Sequence, residues 1–367
     1  MSDFESNVRD TLALWAIPGI GSMNAKRLIS YAGSIEQLFK MKTSELQRIA
    51  GIGEHLAEAI TKENYYAKAD EAIEFAQKFN IEILTKQSAN YPEKLKICDD
   101  SPMILFMKGQ PVTNNRKHIA IVGTRNATPR GQSFCKEIIE QMKNRYPDIC
   151  IVSGLAYGID IAAHRASLDL DVATIGVLAH GLDTIYPASH KKFAAEMLRK
   201  GALLTEFFPK TAGLKTNFVR RNRIVAGMCD ATIVVESDIK GGSLITADIA
   251  NSYNRDVFAL PGRHNDKFSA GCNKLIKSHQ AHLVESFDDI EYVLGWNNKT
   301  KPVQRQLFIE LDSESQKIYD ALNVSEQTID DICRETSLKM AKVSALLLDM
   351  ELKGIIRCLP GKLYSLA

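Results

Sequence analysis

Between residues 117 and 295, short runs of apolar residues alternate regularly with longer stretches that have a helical hydrophobic period. One of the longer stretches, 131–145, places Phe134, Ile138 and Met142 at helical spacing. Short continuous apolar strands that alternate with helices are typical of a parallel sheet covered on both faces. The pattern therefore predicts an α/β fold with a Rossmann-like, doubly wound, mainly parallel sheet. The predicted strands are HIAIVG, ICIVSG, VATIGVL, ALLTEF, ATIVVES and DVFALPG.

Residues 1–80 have the pattern of short helices separated by glycine turns, which predicts an all-α domain of the helix-hairpin-helix (SAM-like) type. Segments 17–29 and 49–60 repeat one another, each with apolar-x-Gly-apolar-Gly before a helical period. Free N–H groups at a helix N-terminus suit a phosphate, so such hairpins can grip a nucleic-acid backbone. They can equally do no more than pack helices together, and the sequence leaves both interpretations open. The first copy is the better phosphate candidate because it carries Lys26 and Arg27.

The remaining segments complete a three-domain prediction. Residues 82–116 contain prolines and an extended LFM stretch, which indicate an ordered arm in front of the sheet. After the polar linker come three helical stretches and a hairpin with Pro360-Gly361 at its turn, the order of a winged helix. The predicted domains are 1–80 (helix-hairpin-helix), 82–295 (Rossmann-like, with arm 82–116), 296–306 (linker) and 307–367 (winged helix).

Composition and charge narrow the class of protein. A net charge of +2 over 367 residues excludes a uniformly basic protein, so an anionic partner must be met by a local patch. The seven cysteines are scattered without a C-x-x-C pair, which argues against a zinc site and favours a reducing cytoplasm. No apolar run approaches the about 18 residues of a membrane span, and the first residues do not form a signal peptide. We therefore expect a cytoplasmic protein without a membrane partner, a metal or a cofactor.

The loops after the predicted strands carry the candidate chemistry, because doubly wound sheets bind ligands at the carboxyl ends of their strands. These loops are rich in glycine, arginine and hydroxyl residues, and glycines before helices let backbone N–H groups face a phosphate. The main ones are GTR at 123–125, SGLAYGID at 153–160, HGLD at 180–183 and GGSLIT at 241–246.

A basic stretch supplies the local patch that the net charge requires. No acidic residue occurs between Glu206 and Asp230. Cations with interleaved aromatic residues suit single-stranded nucleic acid, because phosphates meet the cations while bases stack at about 1–3 kcal/mol each. A solvated helix with Phe218 in the core is the alternative, but five cations without an acid favour an anion site. The stretch contains Lys210, Lys215, Arg220, Arg221 and Arg223, with Phe207, Phe208 and Phe218 among them.

Several kinds of enzyme are disfavoured. GTRNAT stands where a dinucleotide-binding protein has G-x-G-x-x-G, and no P-loop is present. Asp160 and His164, four residues apart, form either an acid/base pair or a capping aspartate and a hydrogen-bonded histidine. No serine or cysteine nucleophile has an evident base, so we predict no catalytic residues.

Taken in order, GTR, SGLAYGIDIAAH, HGLDTIYP, FVRRNRIVAG, GGSLITA and VFALPG resemble the DprA/Smf (DNA-processing protein A) family over about residues 91–290. The resemblance implies a non-catalytic protein that binds and protects single-stranded DNA, loads the recombinase RecA in natural transformation and recombination, and forms a homodimer. The DNA-binding residues that it implies are Gly123, Thr124, Arg125, Ser153, Gly154, Gly158, Lys215, Phe218, Arg220, Arg221, Arg223, Gly242 and Ser243.

This chain departs from the family pattern at a few positions. The usual Gly-Ser-Arg is Gly-Thr-Arg here, Arg130 replaces an aromatic residue, and His190 replaces an asparagine. The alternative function is a Rossmann-type nucleotide phosphoribohydrolase of the lysine-decarboxylase-like group, for which Glu206 and Glu236, with Gly241 and Gly242, are the motivating residues.

Overall fold

The structure, a computed structural model, describes residues 3–111, 114–296, 311–359 and 363–366. The chain forms two compact units, Met1–Asn297 and Asn298–Ala367. The predicted linker 296–306, apart from its first residue, and the Pro360-Gly361 turn lie outside the described residues. The bounds of the four predicted segments stay predictions.

The first unit is built on a nine-stranded sheet with the order β1-β2-β6-β5-β4-β3-β7-β8-β9. Neighbouring strands from β6 to β9 in this order are parallel, whereas β1 and β2 form an antiparallel edge beside β6. The strands are β1 Glu82–Thr85, β2 Ile104–Gly109, β3 His118–Val122, β4 Cys150–Ser153, β5 Ala173–Val177, β6 Ala202–Thr205, β7 Ala231–Val234, β8 Asp256–Ala259 and β9 His282–Leu283. The Rossmann-like, mainly parallel sheet is therefore confirmed, and each predicted apolar run contains one of β3 to β8.

Helices cover both faces of this sheet. On one face of the sheet, α8, α9 and α14 form a hydrophobic core with those residues of β3, β4 and β7 that point to this face. On the other face α11, α12 and α13 pack against the alternate residues of the same strands. This doubly covered arrangement explains why the strands are apolar without interruption. The helices are α7 Glu93–Lys96, α8 Pro129–Arg145, α9 Ile159–Asp169, α10 Lys191–Met197 with the 3-10 turn Ala188–His190 before it, α11 Lys215–Gly227, α12 Gly242–Ser252, α13 Ala270–Lys277 and α14 Phe287–Val293.

The N-terminal helices have the repeated turns that the sequence predicts. Gly19 and Gly51 take positive φ angles of 82° and 85°, and the helices α2 and α5 begin directly after Gly21 and Gly53. These helices share a core with Ile104 and Phe106 of β2, so they lie against the antiparallel edge of the sheet. The helices are α1 Asp3–Trp15, α2 Ser22–Ala32, α3 Ile35–Lys40, α4 Thr43–Leu46, α5 Glu54–Lys62 and α6 Tyr65–Lys78.

The second unit has the helices and small sheet of a winged helix, as predicted. Its strands form a three-stranded antiparallel sheet with the order β10-β12-β11. Ile318, Ile332 and Val343, one from each helix, are fully buried in its core. The elements are α15 Ser313–Val324, β10 Gln327–Thr328, α16 Ile329–Thr336, α17 Met340–Leu352, β11 Ile356–Leu359 and β12 Leu363–Leu366.

Candidate nucleic-acid interface

The carboxyl ends of β3, β4, β5 and β6 meet at one edge of the sheet, and their loops bring cations and aromatic rings together there. The guanidinium carbon of Arg125, which follows β3, lies 5.4 Å from the ring centre of Phe218 on α11. Tyr186, from the loop after β5, approaches the same ring with centroids 6.0 Å apart. Arg125 is exposed and forms no ion pair with any described residue. We call Arg125, Phe218 and Tyr186 the edge cluster.

Close backbone packing holds Arg125 in this position. The N–H group of Ile159, at the start of α9, donates to the carbonyl oxygen of Thr124 over 3.1 Å. Gly158 has a φ angle of 80°, and a Cβ there would lie 2.1 Å from that carbonyl oxygen. The N–H group of Thr124 donates to the Glu236 carbonyl oxygen over 2.7 Å. The GTR loop is therefore fixed between two neighbouring strands, and only glycine fits at 158.

Arg221, a predicted DNA contact, is a buried group that joins two loops. Its side chain is three residues beyond Phe218 on the same face of α11, and the residue is 4% exposed. Nη1 donates to the carbonyl oxygens of Gly154, over 2.6 Å, and Val177. Burial lowers the pKa of Arg221, and the nearby Asp160 opposes this. Arg221 thus stabilises the loops beneath Phe218.

The loop after β4 directs polar groups inward. Ser153 Oγ donates to the Ile121 carbonyl oxygen over 2.6 Å. The N–H groups of Gly154 and Ala156 are bound to the buried carboxylate of Asp160. Burial raises the pKa of Asp160, whereas Arg221 and these donors lower it. A carboxylate of the protein therefore occupies the position that an anion would take at these two N–H groups.

Arg220 and Arg223 project from the other side of α11 and share a counterion. Glu206, whose side chain is fully buried, accepts from Arg220 over 2.8 Å and from Arg223 over 2.5 Å. Burial raises the pKa of Glu206, and the two guanidinium groups oppose this. Arg220 is half-exposed and stacks over Trp15 at 5.2 Å, whereas Arg223 is buried and also donates to the Asp100 carbonyl oxygen. The basic stretch thus does have an acidic partner, the glutamate that precedes it in the sequence.

Lys215, Gly242 and Ser243 begin helices at the same edge of the sheet. Lys215, the first residue of α11, is exposed, and no carboxylate in the described part of the chain lies within ion-pair distance of it. Gly242 is exposed at the start of α12, and Ser243 is buried with its Oγ donating to Ser237 Oγ over 2.9 Å. Helix N-termini with an open first residue suit an anion.

The candidate acids and bases are held in structural contacts. Glu236 accepts from the N–H group of Thr128, over 2.9 Å, and from its hydroxyl, at the start of α8. His164 is fully buried with Nδ1 2.7 Å from Thr174 Oγ1, and burial lowers its pKa to about 3. Within the described ranges, no group of three or more His, Cys, Asp or Glu side chains could hold a metal ion. Among the helices described, none combines the length and the apolar character that crossing a membrane requires.

Two exposed tyrosines were not among the predicted site residues. Tyr186 is 54% exposed and belongs to the edge cluster, and Tyr157 is 47% exposed with its ring 5.1 Å from that of His190. Both lie in the glycine-rich loops, and this position is the signal that could have identified them.

Two residues that depart from the family pattern, Arg130 and His190, make contacts within the protein. Arg130 donates to the Pro261 carbonyl oxygen over 2.7 Å. His190 lies beneath Tyr157 with its Nδ1 2.9 Å from the Leu155 carbonyl oxygen.

Comparison with known families gives a match to each part of the chain. The family described as DNA recombination-mediator protein A matches residues 82–295. The DprA winged helix domain matches 304–362, and the helix-hairpin-helix motif matches 11–72. Protein Smf of Synechocystis is 30% identical over 391 residues, covering 96% of this chain and 97% of that protein. Protein Smf of Escherichia coli is 32% identical over 292 residues, covering 77% and 76%.

Solved structures agree with these matches. DNA processing protein A from Streptococcus pneumoniae superimposes with a TM-score of 0.67 and 31% identity, covering 77% of this chain and 97% of that one. DNA processing protein A from Helicobacter pylori, solved for its single-stranded DNA binding mode, gives a TM-score of 0.53 and 29% identity, covering 59% and 97%.

Proposed function

The chain belongs to the DNA recombination-mediator protein A family, and on that premise we propose that it binds single-stranded DNA at the carboxyl edge of its sheet. The observation that supports this most directly is the edge cluster, in which Arg125, without an ion pair to any residue that the structure describes, lies beside the rings of Phe218 and Tyr186. Proteins that bind single strands without reading sequence combine cations for phosphates with rings for bases. The Helicobacter pylori relative, whose structure was solved for its single-stranded DNA binding mode, supports the same assignment.

The predicted site residues take different roles in this proposal. Arg125, Lys215 and the half-exposed Arg220 contact phosphates, and Phe218 stacks on a base with Tyr186 beside it. Gly242 and Ser243 offer the N-terminus of α12 to a further phosphate. The remaining predicted residues shape the site from below, which fits their burial or close packing: Gly123, Thr124, Ser153, Gly154, Gly158, Arg221 and Arg223.

The proposed biological role follows from the family. The protein protects incoming single strands, loads RecA recombinase onto them in natural transformation and recombination, and acts as a homodimer in the cytoplasm. No catalytic step is part of this role, and the carboxylates of Glu206 and Glu236 are already bound to other groups of the protein. Release of free base from nucleoside monophosphates, abolished by Glu236→Gln, would instead support the phosphoribohydrolase alternative.

The test is binding of fluorescent oligo-dT at several salt concentrations. We expect Arg125→Ala with Lys215→Ala to weaken binding and to flatten its salt dependence by about 0.7 in the log–log slope for each lost phosphate contact. The matched control is Arg199→Ala with Lys277→Ala, two exposed cations before β6 and β9 at the opposite, amino edge of the sheet. Equal affinity of the Arg125/Lys215 variant and the wild-type protein would contradict the proposal.

A further inference from the structure

A groove of about 720 Å³ lies between α8 and α9, and its mouth is at the edge cluster. Arg125 and Tyr157 line the mouth, and Lys136 and Arg165 line the walls. Both helices begin at the carboxyl ends of neighbouring parallel strands, β3 and β4, and both pack on the same face of the sheet. The groove therefore leads from the proposed DNA-binding edge down the side of the domain.

The walls of this groove carry basic side chains. Lys136 and Arg165 are exposed, and neither of them forms an ion pair within the portion of the chain that the structure describes. The guanidinium group of Arg165 lies 5.5 Å from the ring centre of Phe193 on α10, which holds it in a defined orientation. Cations that line a concave surface create a positive electrostatic potential there, because the low-dielectric walls focus the electric field. Such a surface attracts anionic partners.

The two cations lie at matching depth. Lys136 is seven residues beyond the start of α8, and Arg165 is six residues beyond the start of α9. At 1.5 Å per residue, both are roughly 9–11 Å along their helices from the mouth. A phosphate that passes between the helices at this depth can meet a cation on either side.

The acidic residue among those lining the groove is at its far end. Asp169 is the last residue of α9, roughly 15 Å along the helix from the mouth. Its carboxylate is exposed and has no cation within ion-pair distance among the described residues. A DNA strand that enters at Arg125 is therefore attracted first by the cations of the groove and repelled at the far end by the carboxylate of Asp169. This repulsion limits how far the DNA extends along the groove.

We propose that this groove is a second segment of the DNA path, in which Lys136 and Arg165 hold phosphates that follow those at the edge cluster. Tyr157, exposed at the mouth, stacks on a base between the two segments. This inference rests on the proposed binding of single-stranded DNA, and it adds a prediction that the edge cluster alone does not make: the groove contributes only when the strand is long enough to reach it.

The test compares oligo-dT of about 4 and about 16 nucleotides, the limits of site size for one single-strand module. Lys136→Gln with Arg165→Gln should bind the longer strand several-fold more weakly, with the salt slope reduced by about 1.4 for two lost phosphate contacts. The shorter strand should bind as it does to the wild-type protein. Asp169→Asn should strengthen binding of the longer strand only.

The control and the possible outcomes separate this inference from the function on which it rests. The amino-edge variant, Arg199→Gln with Lys277→Gln, removes the same charge and should leave both strands bound as before. An unchanged salt slope for the longer strand in the Lys136/Arg165 variant would overturn the groove path while leaving the edge site intact. Wild-type protein that binds neither strand would overturn the proposed function itself.

Discussion

The guanidinium group of Arg221 donates from Nη1 to the carbonyl oxygen of Gly154 over 2.6 Å. This bond ties α11 to the loop after β4, and a second bond from the same nitrogen reaches the carbonyl oxygen of Val177 at the end of β5. A buried cation thus holds three elements of the carboxyl edge together directly beneath Phe218, whose ring centre is 6.0 Å from the guanidinium carbon. The shape of the proposed site therefore depends on Arg221, a residue that the DNA itself does not contact in this proposal.

Gly154→Ala tests this dependence. An added Cβ would lie 2.1 Å from Nη1 and 2.3 Å from the guanidinium carbon of Arg221, so the arginine has to move and its buried acceptors lose their donor. Overpacking of this kind costs about 1–3 kcal/mol, and we expect the free energy of unfolding in urea to fall by that amount. Oligo-dT binding should weaken as well, because Phe218 loses its support.

The matched control for this substitution is Gly242→Ala. A Cβ at 242 meets no atom within 4 Å, and the residue begins α12, so alanine should leave stability unchanged or raise it by about 0.4–1 kcal/mol. Equal unfolding free energies for the two variants would show that Arg221 does not restrict position 154.

Phe218 and Lys215 should affect DNA binding in distinguishable ways. Phe218→Ala removes a stacking surface worth about 1–3 kcal/mol, so affinity for oligo-dT should fall by roughly 5- to 150-fold with the salt slope unchanged. Lys215→Ala should lower affinity and also reduce the slope by about 0.7, because one phosphate contact is lost. Phe218→Tyr keeps the ring and should restore most of the affinity. A change of slope in Phe218→Ala equal to that of Lys215→Ala would contradict the stacking role.

The hydrophobic pattern was sufficient to predict β3 to β8 of the nine-stranded sheet, because buried parallel strands are apolar along their whole length. It also placed the GTR loop and the loop at 153–160 at the carboxyl ends of strands, where doubly wound sheets bind ligands. The antiparallel edge was only partly predictable: the LFM stretch was expected to be extended, but the partners of this strand, β1 and β6, depend on where the N-terminal helices pack.

The basic stretch shows what one sequence cannot decide. Its cations look like a single patch, but the helical period divides them, with Phe218 and Arg221 on one face and Arg220 and Arg223 on the other. Which of these cations meet solvent depends on tertiary contacts, such as the bond from Trp15 Nε1 to the Glu206 carbonyl oxygen at 3.1 Å. Tyr186 joins Phe218 from a distant part of the sequence for the same reason.

Glu206→Gln should destabilise the protein strongly. The substitution removes the charge that balances Arg220 and the buried Arg223, and a broken buried pair costs about 3–5 kcal/mol. We expect about 3 kcal/mol in urea unfolding, at the lower end because Arg220 is half-exposed. The control is Glu36→Gln, whose carboxylate pairs with Lys40 on the surface of α3 and whose loss should have no measurable effect. Equal stabilities of the two variants would rule out a structural role for the Glu206 charge.

Stability should fall as the pH drops from 7 to 5, because two buried histidines remain neutral in the fold. Burial is the main cause that lowers the pKa of His118 to about 4, with Lys94 adding to it, and that of His164 to about 3, with Arg221 adding to it. Both have Nε2 buried without a partner among the described residues. In the unfolded chain each pKa returns to about 6.5.

Below that value the unfolded state therefore binds protons that the folded state does not, and the free energy of unfolding decreases by about 1.4 kcal/mol per pH unit for each histidine. At pH 5 the two together should remove on the order of 4 kcal/mol relative to pH 7, whereas above pH 7 they contribute no further change. Urea unfolding at both pH values measures this difference. His118→Gln or His164→Gln should roughly halve it, whatever its effect on stability at pH 7, because glutamine does not titrate. A loss of stability between pH 7 and pH 5 that is the same in the wild-type protein and in both histidine variants would show that these histidines are protonated in the folded state.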